Sequence, residues 1–319
     1  CYLIAESDLN DVRVINPPAA GGYGLDAQWS DDFHHSLHTL LTGETLGYYQ
    51  DFGTPSHLVK VLQHGYAFNG NYSRFRKRRH GNDASHRPPY QFVVCAQNHD
   101  QVGNRMLGER LTALVDFEAL KLAAGATLLS PYIPLLFMGE EYGEPAPFLY
   151  FVSHGDPDLV RAVREGRKRE FADFHDLGEP PDAESPETFS RSKLHWELLH
   201  QGQHQRLWQF YQRLIQLRQR IPALAHVDQR HLEAKADEAQ GMIVVRRWWG
   251  HSQALLLMNV QPESVSYTPM LDGQWQQQMN SADETWSGPG NKAPKILETG
   301  KMAVLPPQSF VLYQHLTAP

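Results

Sequence analysis

Four short, mostly apolar runs recur, Tyr2 to Ala5, Leu25 to Trp29, Phe92 to Ala96 and Ile133 to Met138, and carboxylates follow each within a few residues. A strand with one wet face alternates apolar and polar side chains. A run without that alternation suits a parallel strand covered on both faces. Helical patterns lie between the runs. Asp31 to Leu41 carries Phe33, Leu37 and Leu40 or Leu41 on one side, and Asp116 to Leu129 carries Phe117, Leu120, Ala124 and Leu128. Strand and helix in alternation predict an α/β architecture with a parallel sheet.

The middle of the chain is mixed. Asp158 to Phe174 reads as a charged helix and Gly178 to Glu187 as a Pro- and Glu-rich loop. Gln203 to Arg220 is an amphipathic helix with Leu207, Phe210, Tyr211, Leu214 and Leu217 on one face, and Pro222 stops it. After Asp237 the period changes. Met242–Trp249, Ala254–Asn259, Val265–Thr268, Gln274–Met279, Met302–Leu305 and Phe310–Tyr313 read as strands, with turn signals such as Asp272-Gly273 between them. The expected organisation is an α/β domain over 1–225 and a small all-β domain over 237–319.

Composition narrows the function. With 319 residues and 41% hydrophobic content there is material for a sizeable core, and a net charge of -7 argues against nucleic acid as a partner. No run reaches the roughly 18 apolar residues of a membrane span. Cys1 and Cys95 are the only cysteines, the pattern of a reducing, cytoplasmic compartment. The chain opens directly on a strand, so it is expected to be the C-terminal part of a longer protein.

In parallel α/β folds, reactive groups gather where strands end. Glu6 follows the first run, Asp31 and Asp32 the second, Asn98-His99-Asp100-Gln101 the third, and Glu140 and Glu141 the fourth. One acid after a strand is ordinarily a helix cap, a reading that suits Asp31 and Asp32. Carboxylates after all four strands, one beside a histidine, point instead to glycosidic chemistry, in which one carboxyl protonates the leaving oxygen and another meets the cationic ring. Trp29, Phe33, Tyr48, Tyr49, Phe148, Tyr150 and Phe151 would suit stacking on sugar rings.

VVCAQNHDQVGNR and LIAESD resemble two signature regions of the α-amylase superfamily of glycoside hydrolases. The longer segments 23–53, 130–171 and 189–197 narrow the resemblance to its maltooligosyltrehalose trehalohydrolase family. That likeness implies the C-terminal half of a (β/α)8 TIM barrel, strands five to eight, followed by a small β-sandwich. It implies Glu6 as general acid/base and Asp100 as the group that stabilises the transition state. His99 would bind the same sugar, and Gln101, Val102, Gly103 and Asn104 would line the cleft. Trp29, Asp31, Asp32, Phe33, His34 and His35 would lie near the bound sugar, with Tyr150 on a neighbouring loop. The implied substrate is an α-glucan, with no cofactor and no metal. The family's aspartate nucleophile ends barrel strand four, which should precede Cys1. The missing N-terminal half would therefore be this chain's structural partner, and the chain alone should not turn over. A branching enzyme of the same superfamily and a non-catalytic glucan-binding protein are the competing readings.

Three other signals have plainer readings. His34 and His38 are spaced i, i+4, but no Glu or third ligand accompanies them as in a zinc site. The basic runs Arg74 to His80 and Arg161 to Arg169 read as a solvated loop and a solvated helix face, with some arginines paired to nearby acids. Trp248-Trp249 sits on a strand, where alternation should put one of the two rings in the core.

Overall fold

The computed structural model describes residues 1–170, 180–226, 229–268, 270–290 and 292–316. The chain divides into two units, one built from 1–96, 117–135 and 209–319 and the other from 97–116 and 136–208.

In the first unit the four apolar runs form β1 (Ile4–Ala5), β2 (Ala27–Trp29), β5 (Phe92–Val94) and β6 (Ile133–Pro134). They pair in the order β1-β2-β5-β6, every pair parallel. Their C-terminal ends therefore share one edge. Between them stand α1 (Asp31–Thr42), α2 (Pro55–His64) and a small hairpin of β3 (Tyr72–Ser73) and β4 (Arg78–Arg79). The helix α5 (Phe117–Leu128) precedes β6. The sequence had not signalled α2, although Thr54-Pro55 opens it with proline at the first turn and Gly65, at φ +84°, closes it.

The inner strands match the expected double covering: Phe92, Val93 and Val94 are all buried. The outer strands do not. Tyr2, Leu3 and Ile4 are 83, 62 and 49% exposed, and Ile133 is 39% exposed. β1 and β6 are the sheet's edges, so each has a strand partner on one side only.

The same unit carries an antiparallel six-stranded sheet. Its strands are β7 (Leu232–Asp237), β8 (Met242–Trp249), β9 (Ser252–Asn259), β11 (Gln274–Asn280), β12 (Ile296–Glu298) and β14 (Ser309–His315), ordered β12-β11-β14-β9-β8-β7. β10 (Val265–Tyr267) and β13 (Ala303–Leu305) form a separate pair. The sequence missed β7 and β12. Both end the sheet; β7 mixes charged residues with Leu232 and two alanines, and β12 is only three residues long.

Expectation and structure part company at Trp248-Trp249. Neither ring is in the core; Trp249 lies on the His226 ring at 4.2 Å. The inward position on β8 belongs to Arg247, 4% exposed, whose guanidinium donates to the carbonyls of Leu129, Ser130, Leu224 and His226 at 3.0–3.2 Å. Burial pushes its pKa down to about 9.

The second unit holds α3 (His99–Gly103), α4 (Leu111–Leu114), α6 (Pro157–Glu170) and α7 (Pro186–Arg191). The charged helix expected over Asp158 to Phe174 appears as α6; its last four residues and the start of the expected loop lie outside the described residues. Arg161 pairs with Asp158, as a solvated face requires, and Arg164 pairs with Asp182 at 2.8 Å. The amphipathic helix α8 (Gly202–Arg220) runs from this unit into the first and ends before Pro222, which opens α9 (Pro222–Ala225).

Helix α5 meets the antiparallel sheet at Gly125, where a built Cβ would lie 2.2 Å from Cε1 of Phe310. Gly125→Ala gains up to about 1 kcal/mol of helix propensity, but overpacking costs about 1–3 kcal/mol. The substitution is expected to lower the urea midpoint; an unchanged or higher midpoint would show that this contact gives way freely.

Candidate active site

Glu6 lies directly after β1 and is exposed. Behind it the chain is fastened twice. Asp8 receives the Arg76 guanidinium at 2.7 Å. Asn10, in the left-handed region at φ +51° and 1% exposed, donates from Nδ2 to Asp32 Oδ2 at 2.9 Å and to the Phe68 carbonyl at 3.1 Å.

Trp29 ends β2 and is half-buried. Asp31 and Asp32 open α1, where the helix dipole favours anions. Ser30, not Asp32, holds the cap position, and the Asp32 carboxylate is used elsewhere. Its Oδ2 also accepts the backbone N–H groups of Ala67 and Phe68, both at 2.8 Å. Burial pushes its carboxyl up to about 6, against the opposing pull of these donors. Phe33 is fully buried among core residues. His34 is buried too, donating from Nδ1 to the Ala96 carbonyl at 2.7 Å, with Nε2 at 2.8 Å from the Tyr49 hydroxyl. His35 packs against Tyr48, Tyr49 and Phe52, and burial, helped by His38 and Arg76, pushes its pKa down to about 3, so the ring is neutral. His38 stacks on Tyr49 at 4.4 Å and meets Glu44 at 2.8 Å. Both ring nitrogens of His34, and Nε2 of His38, are thus spent on hydrogen bonds within the fold.

In the second unit, Asn98 caps α3: its Oδ1 accepts the N–H groups of Asp100 and Gln101 at 2.9 and 3.3 Å. The cap turns the next two side chains outward, and His99 and Asp100 are both exposed, 3.4 Å apart. Gln101, Val102 and Gly103 are buried, and Asn104 is exposed. Among the described residues, Asn98 Nδ2 and Gln101 Oε1 are buried without a hydrogen-bond partner, polar atoms that a water or ligand would satisfy. Tyr150 is exposed, with the Arg167 guanidinium 4.8 Å above its ring.

The fourth carboxylate cluster contains a residue the sequence reading passed over. Glu144 is fully buried and accepts from Ala146 N, Tyr142 Oη and His195 N at 2.7 Å, with His195 Nδ1 at 2.9 Å. Burial works to raise its pKa, but these donors outweigh it and hold the carboxyl below its ordinary range. Beside this network, the buried Arg110 donates to the Ala146 and Met138 carbonyls. Tyr142 and Ala146 are local partners, but His195 comes from 51 residues away, a separation no local pattern reports.

No protein-family profile matches the chain. Curated proteins do match. A malto-oligosyltrehalose trehalohydrolase of Rhizobium sp. (strain M-11) is 46% identical over 268 residues, 82% of this chain and 44% of that protein. One from Saccharolobus solfataricus is 50% identical over 216 residues, 68% of this chain and 36% of that protein. The chain is a relative of the malto-oligosyltrehalose trehalohydrolases. It matches their C-terminal part, and spans less than half the length of these relatives. In three dimensions, a crystal structure of a Salmonella typhimurium protein assigned as an alpha amylase aligns over 99% of this chain and 51% of its own, with TM-score 0.81 and 35% identity. An alpha-amylase from H. orenii aligns over 99% of this chain with TM-score 0.56; at 17% identity it speaks for the fold alone. No helix among the described residues is long and apolar enough to cross a membrane.

Asp32 yields a test of the site's electrostatics. A carboxyl at about 6 when folded and about 4 when unfolded binds more protons in the native state across that window. Stability therefore falls as pH rises from 4 to 6, by on the order of 2–3 kcal/mol. Asp32→Asn keeps an acceptor for the three donors without the buried charge. Urea unfolding at pH 4.5 and 7 is expected to show that loss in the wild type and its absence in the variant; equal pH dependence would mean Asp32 titrates in the ordinary range.

Proposed function

We propose that this chain supplies the acid/base part of a retaining glycoside hydrolase, one that cleaves the α-1,4 bond next to the terminal trehalose of maltooligosyltrehalose. One observation carries the reading: 46% identity across 268 residues with a protein named for that activity. The parallel order β1-β2-β5-β6 supports it, since Glu6 follows the first of these strands and Asp100 comes six residues after the third.

The same reading makes these strands the fifth to eighth of a (β/α)8 barrel within 1–225, followed by a β-sandwich over 237–319. The apolar edges at Tyr2, Leu3, Ile4 and Ile133 would then meet the barrel's other strands, in the N-terminal half of the same protein. Glu6 gives its proton to the glycosidic oxygen while an aspartate from that half attacks the anomeric carbon. The C–O bond breaks and trehalose departs. Glu6 then takes a proton from water, which displaces the aspartate and releases the shortened oligosaccharide with retention. Asp100 and His99 hold the hydroxyls of the reacting ring. Trp29, Asp31, Asn104 and Tyr150 have surface with which to touch substrate. Asp32, Phe33, His34, His35, Gln101, Val102 and Gly103 are buried and act by shaping the loops. The chemistry calls for no cofactor or metal, and the cytoplasm is its proposed location.

The test uses the full-length protein encoded by the gene, incubated with maltooligosyltrehalose and assayed for free trehalose. Glu6→Gln and Asp100→Asn are each expected to lower kcat about 10²–10⁴-fold. No trehalose from folded wild type would reject the reading; transfer of chains to a 6-hydroxyl would favour a branching enzyme, and glucan binding without turnover a binding protein.

A further inference from the structure

We infer that the Arg76–Asp8 ion pair is a positioning device for Glu6; the inference rests on the acid/base role proposed for that residue. Glu6 follows a two-residue strand at the sheet edge and is followed by Ser7, Asp8 and Leu9, with no regular structure. Such a segment wanders unless something holds it. A general acid that wanders fails, because misplacement by about 1 Å costs on the order of 10²-fold in rate.

The far end of the segment is fixed by Asn10, whose side chain is bound to Asp32 and the Phe68 carbonyl and whose carbonyl accepts Asn82 N–H at 3.0 Å. The stretch between Glu6 and that anchor is held by Arg76. Its guanidinium donates to Asp8 Oδ2 at 2.7 Å and reaches the Asp8 carbonyl at 3.5 Å, so it grips side chain and backbone two residues from Glu6. Arg76 is itself supported. It follows the turn in which Asp51 accepts from the Ser73 hydroxyl and from the N–H groups of Arg74 and Phe75, the last two at 2.7 and 3.4 Å. The Arg76 N–H donates in turn to Ser73 Oγ at 2.9 Å. Lys77, at φ +52°, then reverses the chain into β4. A basic run that reads as a solvated loop is a braced hairpin with one arginine turned back onto the segment that carries Glu6.

The pair acts through Glu6 and not on the substrate, which separates it from general loss of structure. An acid is needed to expel a sugar oxygen but hardly at all to expel fluoride. Arg76→Ala, Asp8→Ala, the double variant, Arg76→Lys and Glu6→Gln are made in the full-length protein. Each is assayed for kcat/KM on maltooligosyltrehalose and on an α-maltooligosyl fluoride. Arg76→Ala and Asp8→Ala are expected to lose about 10–100-fold on the oligosaccharide and less than about 3-fold on the fluoride. The double variant should lose no more than either single one, and Arg76→Lys should recover part of the loss. Equal losses on both substrates, no loss on either, or losses that multiply in the double variant would overturn the inference. Glu6→Gln distinguishes the two failures. If it shows the oligosaccharide-selective loss and Arg76→Ala does not, only the positioning role falls. If Glu6→Gln lacks it, the acid/base reading falls and this inference with it.

Discussion

The first unit is tied together around a carboxylate taken out of water. Asp32 opens α1, yet its Oδ2 joins the segment after β1, through Asn10, to the loop after α2, through Ala67 and Phe68. A buried acid with one partner would be a liability. Three donors converging on one oxygen turn it into a junction that fixes two irregular segments relative to a helix. The cost shows in a carboxyl raised to about 6. The aromatic and histidine rings along α1 fill the space beside this junction, and the neutrality of His35 follows from its burial.

A second set of buried charges joins α5 to the antiparallel sheet. The last carbonyls of a helix have no partners within it. Here the last helical residue, Leu128, and Leu129, Ser130 and Tyr132 just beyond it offer their carbonyls to Arg218 and Arg247. From the middle of α5, the fully buried Lys121 reaches the Ser281 and Trp286 carbonyls and pairs with Glu118 at 2.8 Å. Each cation is met by fixed oxygens, so burial is tolerated, and each ties elements some 90 to 165 residues apart in sequence.

Much of the architecture was legible because it rests on short-range pattern. The short, mostly apolar runs mark the four parallel strands. The spacing of Phe33 and Leu37, and of Leu207 through Leu217, gave α1 and α8. The strands β8 to β11 were bounded by their turns. The misses have physical causes. α2 has no acidic residue in its first turn, and β7 and β12 are end strands, one rich in charged residues and the other three residues long. Alternation on β8 pointed to one core ring at Trp248-Trp249, but the inward place there is held by Arg247, because the carbonyls facing it need a donor.

The site divides in the same way. Sequence alone determined which residues follow the strands and that carboxylates recur there, since these depend on neighbours along the chain. Only the tertiary structure decided that Asp32 is a junction and Phe33 a core residue, that Glu144 is bound by His195, and that Arg76 turns back onto Asp8. Those outcomes depend on which distant donor arrives beside a given acceptor, and desolvation makes that meeting obligatory once the fold has closed.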